Sequence, residues 1–233
     1  MKKGLLFFTL ISILLLGNII VYSQENLSNF MKNSCHSMIR KGITTFVDFR
    51  EGGLEGVILL KKVLSEIPIR SIVLGRVEFY QDAVEIKKNI RFPREKINEL
   101  NELVKKCDGI GVSGANENST SVLNYYSKTT KIRAIHSAET KQSISKSKKT
   151  TGTSETIRAL SLKPHFLIHM THASKSDLHS TAKKTRGIVI CPRANSSLAE
   201  GIPDIELMQK SGCLLALGTD NVMINSPDMF REM

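Results

Sequence analysis

The sequence predicts an α/β protein built as an incomplete TIM-type (β/α)8 barrel, with strands two to eight of the eight, behind an apolar N-terminal helix. From about Asn29, short apolar runs rich in β-branched residues alternate with amphipathic helical stretches, as in βα units of a parallel sheet. No Gly-x-Gly-x-x-Gly turn follows the first run, which disfavours an open dinucleotide-binding sheet. Several runs end in polar residues, where barrel enzymes place their active sites.

Seven strands are predicted, one short of the eight that close a parallel barrel. They span Ile43 to Phe49, Arg70 to Gly75, Gly109 to Ser113, Arg133 to His136, Phe166 to Thr171, Gly187 to Cys191, and Leu214 to Gly218.

Helical periodicity fills most of the intervening segments, and Pro93 is expected in a first helical turn. The predicted helices are Gly53 to Ile67, Pro93 to Cys107, Ser119 to Thr130, Ser154 to Leu162, Ser174 to Thr185, and Pro203 to Ser211. The stretch from Thr140 to Gly152 offers almost nothing to bury, so a solvated loop or an exposed helix face is expected there.

The basic composition is interpreted as a solvated surface and not as a nucleic-acid site. The net charge of +11 comes from 33 Lys+Arg against 22 Asp+Glu, but the basic residues are scattered apart from Lys141 to Lys149, and no aromatic residues are interleaved with that cluster. The four cysteines form no Cys-x-x-Cys pair, so buried reduced thiols are expected, although two disulfides stay possible.

The N-terminus divides the predicted organisation into residues 1–23 and a barrel domain at 24–233. Lys2 and Lys3 precede an apolar run from Gly4 to Tyr22, which is typical of a signal peptide or membrane anchor and implies possible membrane contact through residues 4–22. A misplaced start or a frameshift would also explain the run. The cysteines favour a cytoplasmic protein, and the leader favours an anchored or exported one.

Three strand ends carry residues that bind metals or move protons. His136-Ser-Ala-Glu139 ends one strand, Ile168-His169-Met170-Thr171-His172 ends the next, and Gly218-Thr219-Asp220-Asn221 ends the last. Each motif alone is weak, since a single histidine after a strand is more often a hydrogen-bonded core residue. Together, at the ends of strands five, six and eight, they predict one site.

These motifs, with Cys191-Pro-Arg-Ala-Asn195, resemble those of the metal-dependent amidohydrolase superfamily, in its cytosine deaminase and chlorohydrolase-like branch. The resemblance covers about Asn29 to Met233 and includes Gly42 to Asp48 and Asn225 to Met233. It implies hydrolysis of a non-peptide carbon–nitrogen bond, with deamination of a small heteroaromatic amine as the expected reaction. It also implies one divalent metal ion, zinc or iron, that activates a water molecule.

The resemblance assigns roles to six residues. His136 and Asp220 would bind the metal, Asp220 would also accept the proton of the attacking water, and Glu139 would carry a proton to the leaving nitrogen. His169 would polarise the oxygen that forms at the attacked carbon. His172 and Asn195 are predicted to contact substrate, with a supporting or helix-capping position as the favoured alternative for His172.

The sequence departs from the family at the first strand. The family has a His-x-His pair there, whereas this chain has no such pair, and its His36 lies in a helical stretch ahead of strand two. Because two ligands hold zinc poorly, the chain alone is expected to bind it weakly and to lack turnover. A non-catalytic remnant and a membrane-tethered binding protein of the same fold are therefore the alternatives.

Overall fold

The apolar runs of the sequence form one parallel sheet whose seven strands are hydrogen-bonded in chain order. The structure, a computed structural model, describes residues 24–233. The sheet curls into an incomplete barrel, which confirms the predicted fold. The strands are β1 (Thr45–Arg50), β2 (Arg70–Gly75), β3 (Gly109–Val112), β4 (Ile132–Ser137), β5 (Phe166–His169), β6 (Gly187–Ile190) and β7 (Leu215–Leu217).

Helices lie between the strands and pack against the sheet. They are α1 (Gln24–Arg40), α2 (Gly53–Leu64), α3 (Ala83–Lys87), α4 (Arg94–Lys106), α5 (Thr120–Tyr126), α6 (Lys141–Thr151), α7 (Glu155–Ala159), α8 (Lys175–Lys184), α9 (Pro192–Ser197), α10 (Ile205–Lys210) and α11 (Met229–Glu232). Short 3₁₀ turns occupy Ala115–Glu117 and Leu160–Leu162. All six predicted helices are present, with shorter ends.

Side-chain caps determine where several helices begin. Ser119, Ser154 and Ser174 each accept a hydrogen bond from a backbone N–H three residues further on, which satisfies a donor that the first turn leaves free. Thr140 caps α6 in the same way, and Gly152 ends it with a φ of 73°. A solvated loop and an exposed helix face were the two alternatives for Thr140 to Gly152. The segment forms the helix, which is largely exposed.

Two boundaries differ from the prediction for reasons of backbone geometry. Pro93 is the N-cap of α4 and lies one position ahead of the expected first turn. The predicted strand from Phe166 to Thr171, which is β5 of the structure, ends at His169. It stops there because His169 and Met170 adopt φ values of 68° and 57°. Left-handed backbone cannot continue a pleated strand, so the chain turns there.

The main hydrophobic core lies where helices cover the sheet. Val57, Leu60 and Val63 are the buried side chains of α2, and Leu103 of α4 is fully buried beside them in the same cluster. Each such side chain contributes about 1.5–3 kcal/mol by leaving water. The four cysteines are buried free thiols, as expected.

Strands β1 and β7 are the two edges of the sheet within residues 24–233. Val47 of β1 is 46% exposed, and Leu214, next to β7, is 72% exposed. The predicted apolar helix over Gly4 to Tyr22 lies outside the described residues. Within 24–233, no helix combines the length and apolar character that crossing a membrane requires.

Candidate active site

The predicted residues come together because parallel strands end at one edge of the sheet. His136 lies near the carboxyl end of β4, and its neighbour Ser137 pairs in register with His169, the last residue of β5. Asp220 follows β7 by three residues. The rings of His136 and His169 are 5.3 Å apart between centroids, and Asp220 Oδ2 lies 3.9 Å from His169 Nε2.

His169 is the centre of the site, and a hydrogen bond at its Nδ1 fixes the orientation of its ring. Its Nδ1 lies 3.1 Å from Asn195 Oδ1, while Asn195 Nδ2 donates to Thr171 Oγ1 at 2.7 Å. This orientation of the amide makes Nδ1–H the donor, so the lone pair of neutral His169 is on Nε2. Nε2 faces Glu139 Oε1 at 3.6 Å as well as Asp220.

His136 is held by one hydrogen bond and one aromatic contact. Its Nδ1 lies 3.2 Å from the carbonyl oxygen of Val112 on β3 and donates to it. The ring of Phe49 packs edge-on at 4.7 Å between centroids. Gly111 makes room for Phe49, since a Cβ at this position would come within 2.5 Å of the Phe49 ring. Nδ1 is thus occupied, and Nε2 is the nitrogen of His136 that can bind a ligand.

A buried carboxylate supports the loop that carries Glu139. Ala138, between His136 and Glu139, has a left-handed φ of 51°. Its backbone N–H donates to Glu155 Oε2 at 2.9 Å, and the same carboxylate accepts from Asn116 and Ser143. Glu155 itself is 4% exposed. The bend that presents Glu139 to the site therefore depends on a side chain outside it.

Cys191 is a member of the site that the sequence reasoning did not identify. It follows β6 directly, and its Sγ, a ring nitrogen of His169 and an Asp220 oxygen are ligand atoms within 4.8 Å of one another. Gly218 permits this approach, because a Cβ there would meet Cys191 Sγ at 3.3 Å. The sequence signal that could have identified Cys191 is its position at the end of a strand, as the first residue of the motif Cys191-Pro-Arg-Ala-Asn195.

Burial dominates the electrostatics of these groups. It lowers the pKa of His136, with the neighbouring His169 adding to the effect, and it lowers the pKa of His169 although Asp220 opposes the shift. Burial also raises the pKa of Glu139, which suits a group that must both take and give a proton. Burial and then the Asp220 charge raise the pKa of Cys191 to about 12.

The two predicted substrate contacts have polar atoms engaged within the protein. His172 Nε2 lies 2.6 Å from the carbonyl oxygen of Glu200 and donates to it. Asn195 has no exposed surface and bonds to His169 and Thr171. In the structure, both residues make hydrogen bonds to protein groups beside the site. Contact of either residue with substrate stays a prediction.

The donors present fit part of a divalent-metal shell. Imidazole nitrogens and a carboxylate oxygen are zinc and iron ligands, and His136, His169 and Asp220 supply them at one end of the sheet. The chain has no His-x-His pair to complete the family's shell.

The half-barrel carries such donors at its strand ends, and comparison with known proteins shows the family to which the chain belongs. A model of the Amidohydrolase family matches residues 4–233. The chain therefore belongs to the amidohydrolase family.

Relatives and solved structures extend beyond this chain. A putative aminohydrolase of Methanothermobacter thermautotrophicus is 39% identical over 211 residues, which is 87% of this chain and 52% of that protein. A 5-methylthioadenosine/S-adenosylhomocysteine deaminase of Moorella thermoacetica is 25% identical over 84% of this chain and 47% of its own length. The chain thus spans about half the length of these relatives.

The fold is similar to that of an adenosine deaminase from Xanthomonas campestris that was solved with bound zinc. The TM-score is 0.68 at 19% identity, over 91% of this chain and 50% of that one.

Proposed function

We propose that this chain carries part of a deaminase active site that removes an amino group from a small heteroaromatic ring. One observation carries the proposal: His169 Nε2 faces the carboxylates of Glu139 and Asp220 at 3.6 and 3.9 Å, beside the ring of His136. The names of its relatives, an aminohydrolase and a nucleoside deaminase, support the reaction class.

The metal's place in the proposal follows from the donors. His136 Nε2 and Asp220 would hold a divalent ion together with a His-x-His pair that this chain does not contain. When bound, the ion would lower the pKa of water enough for attack at a ring carbon near neutral pH.

Asp220 and Glu139 divide the proton transfers in this scheme. Asp220 accepts the proton of the attacking water, and Glu139, one residue after the Ala138 bend, delivers a proton to the leaving nitrogen. The raised pKa of Glu139 keeps part of that carboxyl protonated closer to neutral pH.

His169 acts in this scheme only after it gains a proton. In its neutral form Nε2 is an acceptor, because Nδ1–H is bonded to Asn195. A proton passed from Asp220 would make Nε2 a donor to the oxygen on the attacked carbon, once the 3.9 Å between them closes to hydrogen-bond distance or is bridged by one water molecule. Asn195 would hold the ring in place throughout.

A completed barrel tests the proposal. In a fusion protein, a first strand ending in His-x-His precedes Asn29 and the C-terminal part of the Methanothermobacter relative follows Met233. We expect ammonia release from adenine nucleosides, guanine, cytosine or a triazine amine, measured in a coupled assay. Glu139→Gln should lower kcat by about 10²- to 10⁴-fold and zinc affinity far less.

The matched control is Glu206→Gln, which changes an exposed glutamate of α10 whose ion pair, within residues 24–233, is with Lys210; it should leave kcat unchanged. A fusion protein that folds and binds zinc but releases no ammonia from any of these amines would contradict the proposed reaction. Equal activity of the Glu139→Gln variant and the parent would remove Glu139 from its role.

A further inference from the structure

We propose that His169, Cys191 and Asp220 form a binding site of their own for one thiophilic divalent ion, such as zinc, in the chain as it stands. The three donors come from β5, β6 and β7, and their ligand atoms lie within 4.8 Å of one another. This ligand set shares only Asp220 with the one in the proposed deaminase, and it does not depend on that function.

The distances are close to those that an ion requires. A tetrahedral zinc ion with bonds of about 2.0–2.3 Å separates its ligand atoms by roughly 3.3–3.6 Å. His169 Nε2 and Asp220 Oδ2 are already 3.9 Å apart. A contraction of about 1 Å at the longest separation therefore brings all three donors into bonding range.

The lone pairs around His169 also indicate a cation. Nε2 of neutral His169 faces Glu139 Oε1 at 3.6 Å and Asp220 Oδ2 at 3.9 Å, and both separations are too long for a hydrogen bond. An acceptor nitrogen that faces two carboxylates is electrostatically unfavourable unless a proton or a cation lies between them. Cys191 adds a soft donor to the same space.

The support behind His169 is the kind that metal-binding histidines use. Such a histidine usually donates its second ring N–H to an oxygen that fixes the tautomer and the ring plane. Asn195 Oδ1 does this at 3.1 Å, and Asn195 is fully buried and held in turn by Thr171.

The approach to the site is open on the carboxylate side, since the Asp220 side chain is 20% exposed and that of Glu139 31%. An ion can therefore enter from solvent while the thiol stays buried. Binding replaces the Sγ–H bond of Cys191 by an Sγ–metal bond and releases that proton to solvent.

Cobalt(II) titration of the intact chain tests the site, because a thiolate ligand gives cobalt a near-ultraviolet charge-transfer band. We expect one equivalent of cobalt to produce the band and zinc to displace it. Cys191→Ser should remove the band and weaken zinc binding more than 10-fold. Asn195→Ala should weaken it by about 10- to 100-fold.

Cys213→Ser is the matched control, because Cys213 is also a buried free thiol but bonds to the carbonyl oxygen of Leu178; it should keep the band. His136→Ala should change the affinity little. Cobalt binding without the band, or undiminished zinc binding by Cys191→Ser, overturns the proposal. Loss of binding in His136→Ala would assign the ion to the family's ligands instead. If Cys191→Ser does not fold, the spectrum of the intact chain still decides.

Discussion

Glu155→Ala should destabilise the protein more than any other single truncation near the site. The Glu155 carboxylate accepts from Ala138 N, Asn116 Nδ2 and Ser143 Oγ at 2.9, 2.9 and 2.7 Å. Arg158 lies in the same buried network, 4% exposed, and bonds to the carbonyl oxygen of Asn118 at 2.6 Å. The variant leaves these donors without their acceptor and the guanidinium without the nearby negative charge.

The magnitude follows from counting the donors that water cannot reach. Ala138 is 1% exposed, so its buried N–H loses its partner at about 1–3 kcal/mol. Asn116, 8% exposed, loses one of the two acceptors of its Nδ2 and keeps the carbonyl oxygen of Ser143 at 2.8 Å, so its cost is smaller. Ser143 is partly exposed and can turn to water. The lost hydrogen bonds and the uncompensated charge of Arg158 together should lower the free energy of unfolding by about 3–5 kcal/mol.

Urea unfolding followed by circular dichroism measures this loss. With a slope near 2 kcal/mol per molar urea, the midpoint should fall by about 2 M. Glu155→Gln keeps one acceptor oxygen and should lose about half as much. A loss under about 1 kcal/mol for Glu155→Ala would mean that the Ala138 bend does not depend on this carboxylate.

Two further predictions concern pH and the core. The pKa of His136 and of His169 is lowered in the folded protein, whereas the same side chains protonate near 6.5 in the unfolded chain. As the pH falls, the unfolded state therefore gains protons first. The free energy of unfolding should fall as the pH drops below about 6.5. When the pH is lowered from about 8.0 to about 5.5, the melting temperature should fall less for His169→Asn than for the parent. For the exposed control His179→Asn it should fall as much as for the parent. Leu103→Ala should cost about 2–5 kcal/mol in urea unfolding, because Leu103 has no exposed surface, while Leu214→Ala at a 72% exposed position should cost far less.

The alternation of apolar segments with helical stretches was sufficient for the strands, because each of the seven is centred on apolar residues, although β1 also carries Asp48 and Arg50. It failed for α3, α9 and α11, which have five, six and four residues. Such short helices lack a full amphipathic repeat, and the capping residue Asp82 is the clearest local signal for α3. Helix α6 was left open because only Ser147 of that helix is buried.

The site residues were predictable to the extent that strand ends converge in a parallel sheet. His136, His169 and Asp220 could be placed together on that ground. Cys191 and Glu155 could not, because their importance depends on which side chains meet across different strands and helices. The position of Cys191 directly after β6 is a local signal, but it does not show which side chains the thiol faces.

The most direct test of the account is a crystal structure of the chain grown with zinc, with anomalous data collected at the zinc edge. We expect one strong peak at the carboxyl ends of β5, β6 and β7, with Asp220 and His169 Nε2 at about 2.0–2.2 Å and Cys191 Sγ at about 2.3 Å from it, and the His136 ring beside them. If His136 and Asp220 point to opposite ends of the sheet, or if zinc binds only elsewhere on the chain, the account of this site is wrong.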